Sequence, residues 1–245
     1  MTELKDTAVA LDHVSKTFGE KQVLRDITFS VAPQETICVL GRSGTGKSVT
    51  LKLIIALMKP EAGHIWIDGE DITLLEGQEL SRVRRKMGFL FQNAALFDFL
   101  TLHDNLALPL RRLTHKSEQE IEAVIDRVLQ QVGLSGDREK LPQELSGGMK
   151  KRAGLARALV LEPQILLVDE PSSGLDRITA SEIDELLLKQ KQHTTMIVVS
   201  HDVQGARRIG DRFAVLDHGC LAALGKPEDL EGHENETVRR LVMEE

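Results

Sequence analysis

The stretch "GRSGTGKS" at residues 41–48 constrains this chain most, because it lies between an apolar run, "TICVL", and a run with helix-forming potential, "KSVTLKLIIAL". It fits the pattern G-x-x-x-x-G-K-[ST] without a gap and predicts a strand, a tight glycine turn and a helix in that order. Gly41, Gly44 and Gly46 allow the backbone to approach a ligand closely, with Arg42, Ser43 and Thr45 between them. Successive main-chain N–H groups and the positive end of the helix then converge on one point, which makes an anion site. Lys47 adds a charge suited to β- and γ-phosphate oxygens, and Ser48 offers a hydroxyl to Mg²⁺.

Composition is compatible with a packed core around that element. The chain has 245 residues, 41% of them hydrophobic, enough for one large domain or two small ones. Apolar runs such as "ILLVD" and "MIVVS" fall far short of the roughly 20 residues a bilayer crossing needs. The opening "MTELKDTAV" is acidic and polar rather than signal-like, so a cytosolic or peripheral protein is expected. A net charge of −7 argues against a nucleic-acid partner. The basic run "RVRRK" at 82–86 reads as a solvated helix face. Cys38 and Cys220 are too few and too far apart for a disulfide framework or metal cluster, and are expected to be reduced and buried.

Along the chain, strands alternate with helices. Alternating patterns in "VALDHV", "ITFSV" and "HIWID" predict half-exposed antiparallel strands within the first 70 residues. The continuous apolar runs "ETICVL", "ILLVD" and "TMIVVS" predict strands covered on both faces. From about 93 to 160 the strand signal vanishes. There "SEQEIEAVIDRVLQQVGL" has helical spacing, with Ser117 as N-cap, Glu120 completing a capping box and Gly133 as the stop. "VLDHGCLAAL" reads as a hairpin turning at His218-Gly219, and "ENETVRRLVMEE" as a short final helix.

Two further motifs carry chemistry. "ILLVDE" at 165–170 delivers two carboxylates at the carboxyl end of a buried strand, where ligands of open α/β sheets gather. Asp169 is placed as the metal-side acid and Glu170 as a candidate general base. "LSGGMKKRAGLARAL" at 145–159, whose Leu145 lies 24 residues before Asp169, puts Ser146, Gly147 and Gly148 at a second helix N-terminus able to meet phosphate. Met149, Ala153, Ala156 and Val160 follow at helical spacing and define an apolar face of that helix.

In this order the motifs resemble the ABC ATPase family, and nearly the whole chain fits the resemblance. It implies an α/β fold: a P-loop NTPase core of ABC ATPase type with an antiparallel β subdomain and an inserted α-helical subdomain. One domain over 1–245 is expected, with about 1–92 and 161–233 as core and β subdomain. About 93–160 would be the helical subdomain carrying the signature, and about 234–245 a C-terminal tail. ATP and Mg²⁺ are the implied cofactors, and Ser48, Gln92 and Asp169 the implied metal-side residues. Glu170, His201 and Gln92 are implied to be catalytic. Gln92 in "GFLFQN" matches the Q-loop, His201 after "MIVVS" matches the switch histidine, and Phe18 stands where the family usually stacks a tyrosine on adenine. In the family, the signature caps the nucleotide of a second copy. That assigns Leu145, Ser146, Gly147, Gly148 and Met149, with Asp176 of the D-loop "SGLD", to the partner's ATP in a head-to-tail dimer.

Met149 in place of the usual Gln, and the ending "TVRRL", are similar to ATPases of Mce and Mla type phospholipid transporters. Gly174 and Arg177 depart from the commoner "SALDP". The resemblance implies a bacterial subunit peripheral to the cytoplasmic face of the inner membrane, working with a permease and with lipid-binding and small accessory subunits. A regulatory or mechanical ABC protein acting on a membrane partner without moving cargo, and a subunit for another cargo, stay open on the same residues. Between Asn93 and Asn105, the apolar Leu96, Phe97, Phe99 and Leu100 fit either a piece of core or the groove that receives a permease helix.

Overall fold

The computed structural model describes residues 7–243. Most of the polar N-terminal run read as non-signal, residues 1–6, and the last two residues of the tail lie outside them. The chain first builds β1 (Val9–Phe18), β2 (Lys21–Val31), β3 (Thr36–Leu40), α1 (Lys47–Ile54), β4 (Ala62–Ile67), β5 (Glu70–Asp71), α2 (Gly77–Arg84) and β6 (Met87–Leu90). Three helices follow without an intervening strand: α3 (Leu102–Leu113), α4 (Glu118–Gln131) and α5 (Gly147–Leu159). The remainder is β7 (Ile165–Asp169), α6 (Arg177–Lys191), β8 (Thr195–Val199), α7 (Val203–Ile209), β9 (Arg212–Asp217), β10 (Cys220–Gly225), α8 (Pro227–Leu230) and α9 (Glu236–Met243).

The strands form an antiparallel sheet in the order β2-β1-β4-β5 and a six-stranded sheet in the order β10-β9-β3-β8-β7-β6. In the larger sheet only the β9–β10 hairpin is antiparallel. Its turn residues His218 and Gly219 have φ of 46° and 78°, the left-handed pair a two-residue hairpin turn requires.

The central strands are apolar on both sides because both sides are covered. Ile165 and Leu167 join α1 and the antiparallel sheet in one core, while Leu166 and Val168 join α5, α6 and the other insert helices in a second. Each fully buried aliphatic side chain contributes about 1.5–3 kcal/mol, so these strands are fixed at the centre of the sheet. The insert has its own apolar seam of Leu106, Leu110, Ile121, Ile125 and Leu129. Ser117 and Glu120 form the expected capping box of α4, and Gly133 leaves the helix with φ 67°.

Several expectations need correction. Cys38 is buried but Cys220, opening edge strand β10, is exposed. The basic run at 82–86 is only partly a solvated face, since Val83 is buried and the Arg84 guanidinium donates to the carbonyls of Ile55 and Ala56 at the end of α1. Helix α1 itself stops at Ile54, short of the predicted run, because Ala56 turns into the left-handed region and the Leu57 N–H bonds back to the Lys52 carbonyl.

Asp184 is buried between α6 and α7, with its carboxylate 3.6 Å from Arg208. Burial first, and then the charge of Asp202, push its pKa up to about 6 against the pull of Arg208. A carboxyl group raised in this way favours folding while protonated and loses that contribution as pH rises through about 6. Asp184→Asn should therefore match the wild type near pH 4 and exceed it by up to about 3 kcal/mol above pH 7 in urea unfolding. A difference that does not change with pH would contradict the buried-carboxylate account.

Candidate active site

The sheet order places the sequence motifs side by side. Neighbouring strands β3, β8, β7 and β6 end, respectively, at the glycine loop, at Ser200-His201, at Asp169-Glu170 and just before Gln92. Their carboxyl ends open on a cleft of about 570 Å³ lined by Ser43, Gly44, Gly46, Lys47, Ser48, Gln92, Glu170 and His201, with Phe18 at one side.

The glycine loop is held by its own chemistry. Gly46, at φ 101°, precedes the first turn of α1, and a Cβ there would lie 2.4 Å from Leu24 Cδ2. Only glycine fits between the loop and β2. Lys47 is 8% exposed; its Nζ donates to the Gly41 carbonyl at 2.8 Å and the Arg42 carbonyl at 3.3 Å and lies 3.8 Å from Glu170 Oε1. Thr45 Oγ1 donates to the same Arg42 carbonyl, so Arg42 and Thr45 shape the loop from outside the cleft.

Where the loop runs into α1, Ser48 Oγ donates to Asp169 Oδ1 at 2.8 Å. Burial pushes the Asp169 carboxyl group above its ordinary range, and the Ser48 hydrogen bond opposes the shift. A partly desolvated carboxylate beside a hydroxyl is a hard oxygen donor set with unsatisfied affinity for positive charge. It fits Mg²⁺, which takes one or two protein oxygens and completes its shell with phosphate and water.

Glu170 has φ 49°, a left-handed conformation uncommon outside glycine and typical of strained functional positions. Its Oε2 lies 2.5 Å from His201 Nδ1 and accepts the His201 main-chain N–H at 3.2 Å. The carboxylate is thus buried between Lys47 and His201 at the cleft floor. Gln92, on the far side, donates to Ser173 Oγ at 3.5 Å.

Leu145–Met149 do not line this cleft. Leu145 is buried, Ser146 caps α5 by accepting the Met149 N–H at 3.3 Å, and Gly147 lines an adjoining groove with Lys150, Lys151 and Leu175, which meets the cleft at Gln92 and Ser173. Asp176 is likewise outside it and caps α6, accepting the Ile178 and Thr179 N–H groups at 3.0 Å. That cap was readable from "DRIT" by the same rule that located Ser117. Lys21, Val23 and Ser173 line the cleft without having been singled out. Lys21 and Val23 carry no motif, because β2 brings them there through tertiary pairing.

The family model described as ABC transporter matches residues 24–173. This chain belongs to the ABC transporter ATPase family. It is 43% identical over 237 residues to the probable ribonucleotide transport ATP-binding protein mkl of Mycobacterium leprae (strain TN), covering 96% of this chain and 68% of that protein. The mkl protein of Mycobacterium tuberculosis (strain ATCC 25618 / H37Rv) is 42% identical, with 96% and 66% covered. This ABC chain therefore spans about two thirds of the length of these relatives. The methionine import ATP-binding protein MetN of Xylella fastidiosa (strain Temecula1 / ATCC 700964) is 38% identical over 247 residues, 100% of this chain and 72% of that one. Among solved structures, the ATP-binding cassette MJ0796, dimeric in a post-hydrolysis state with ADP and Pi, superposes with a TM-score of 0.83 at 34% identity, covering 89% of this chain and 98% of that one.

The Lys47 ammonium lines the cleft from within the glycine loop, and its proposed role is a direct contact to the phosphates of ATP. Lys47→Ala should weaken ATP binding about ten- to hundredfold by equilibrium titration, the loss expected for a charge-assisted contact. Unchanged affinity would remove Lys47 from the phosphate site.

Proposed function

We propose that the chain is the ATP-hydrolysing subunit of a bacterial membrane transporter and works as a head-to-tail pair. The observation that carries this reading is the split between motifs: the glycine loop, Glu170, His201 and Gln92 line one cleft, with Asp169 held beside it by Ser48, while Leu145–Met149 do not line it and Gly147 opens on an adjoining groove. A second copy then completes the site, with its Ser146 hydroxyl and its Gly147 and Gly148 N–H groups directed at the γ-phosphate and its Asp176 loop at the seam.

Within the completed site the glycine-loop amides and Lys47 bind the β- and γ-phosphates, and Phe18, 44% exposed, offers a ring face to the adenine. Ser48 and Asp169, with Gln92 on the same cleft, would hold Mg²⁺, which would supply positive charge to neutralise the phosphates. Glu170 accepts a proton from the attacking water, and His201, already against its carboxylate, orients it and contacts the γ-phosphate. Glu170→Gln keeps the shape but removes the proton acceptor. It should leave ATP affinity near normal and cut steady-state turnover by about 10²-fold or more. Turnover within a few fold of wild type would exclude Glu170 as the base.

Among the described residues no helix is long and apolar enough to cross a membrane, and the proposed pathway for cargo is a separate permease. Its docking site is the 93–105 segment that follows Gln92. Phe97 and Phe99 are exposed there, Phe99 at 79%, with ring centroids 5.8 Å apart. The buried Asn105 side chain holds the loop from beneath, accepting the Phe97 N–H and donating to the Phe97, Leu100 and Thr101 carbonyls. Exposed aromatics on a pinned loop favour docking over the core alternative for Phe99. Phe99→Ala should change stability by no more than about 0.5 kcal/mol while reducing co-purification of the permease. Unchanged co-purification and transport would defeat the assignment.

Phospholipid is the proposed cargo, on the likeness of "GGMKKRAGLARAL" to the signature of Mce and Mla type transporters. Cargo recognition is assigned to the permease, as relatives named for ribonucleotide, methionine and sulfate or thiosulfate share this cassette. Mass spectrometry of small molecules retained by the native complex should find phospholipid; a retained nucleotide or amino acid in its place would redirect the cargo assignment.

A further inference from the structure

Helix α5 carries the signature at its start, but its buried side leads to this chain's own cleft. Lys151 lies one turn beyond Gly147, is 6% exposed, and its Nζ donates a 2.6 Å hydrogen bond to the main-chain carbonyl of Glu170. The same carbonyl accepts the Ser173 N–H at 3.3 Å. A buried ammonium is costly unless matched by polar partners and opposite charge. Burial lowers the Lys151 pKa, while Glu170 and then Asp169 act in the opposite direction. Further along α5, Arg157 donates to the carbonyls of Ala94 and Ala95, two left-handed residues just after Gln92. One rigid helix therefore grips both Glu170 and the loop that follows Gln92.

We propose that Lys151 is a positioning residue that ties each chain's signature helix to that same chain's Glu170. It holds the left-handed backbone from which the carboxylate projects, so displacement of Ser146–Gly148 on meeting the partner's nucleotide is transmitted to the chain's own hydrolytic group. The inference rests on the head-to-tail reading above. Lys151 does not line its own chain's nucleotide cleft; it acts through Glu170, and it connects the two sites of a dimer through one side chain.

The test separates the chain in which Lys151 acts. A dimer mixed from Ser146→Arg and Lys47→Ala chains retains one intact site, built from Lys47 and Glu170 of the first and Ser146 of the second. Lys151→Met, close in length but without the donor, is added to one chain at a time. In the Ser146→Arg chain, which supplies the working Glu170, it should lower kcat by about tenfold or more without changing ATP affinity, the signature of lost positioning. In the Lys47→Ala chain, whose own Glu170 faces an already damaged site, it should not deepen the defect. Equal loss in both placements, loss only in the second, or no loss in either would overturn the proposal.

If the parent mixture is inactive although heterodimers form, the head-to-tail reading, or the independence of the two sites, has failed separately. The Lys151→Met homodimer then decides: a fall in kcat at unchanged ATP affinity and melting temperature supports the tie, and a parallel loss of affinity overturns it. Should Lys151→Met not fold, Lys151→Leu, which likewise lacks the donor, enters the same placements with the same criteria.

Discussion

The side-by-side pairing of β3, β8, β7 and β6 is the constraint on which the rest of the molecule depends. These strands are parallel and covered on both faces, so their carboxyl ends open along a common edge and the loops leaving them must meet there. Residues 43, 92, 170 and 201, far apart in sequence, become neighbours without any motif encoding the encounter. The pairing even reaches the proposed base, because the Glu170 N–H continues the β7–β8 ladder by bonding to the Val199 carbonyl at 2.9 Å.

That edge also explains the electrostatics of the cleft. Lys47, Asp169 and Glu170 are all buried, yet each has a fixed polar partner: loop carbonyls for Lys47, the Ser48 hydroxyl for Asp169, and His201 for Glu170. Charged groups kept out of water in fixed orientations act more strongly on a bound phosphate than the same groups would in solvent. The helical insert contributes differently. It carries Gly147 into an adjoining groove outside the cleft and reaches back toward the cleft through Lys151 and Arg157, so one helix serves both.

The local chemistry was largely legible in the sequence. Glycines at 41, 44 and 46, the capping box at Ser117 and the His218-Gly219 turn follow from backbone rules spanning a few residues, and each predicted element is present. The apolar runs gave the central strands, but the order in which they pair is a tertiary fact that no run states. Cys220 was misplaced because hydrophobic composition does not distinguish an edge strand from a central one. Lys151 escaped notice because "KKR" reads as a solvated charge run. Its spacing to the buried Leu155 and Ala158 places it on an inward face, which becomes meaningful only once Glu170 is opposite.

The central claim, that the nucleotide site is completed by a second copy, is tested most directly by light scattering of Glu170→Gln protein with bound ATP, with and without Ser146→Arg. The account predicts an ATP-loaded dimer for Glu170→Gln alone, and an ATP-loaded monomer when Ser146→Arg is added, because Ser146 does not contact its own chain's nucleotide. A dimer that persists with Ser146→Arg, or a monomer that no longer binds ATP, would contradict it.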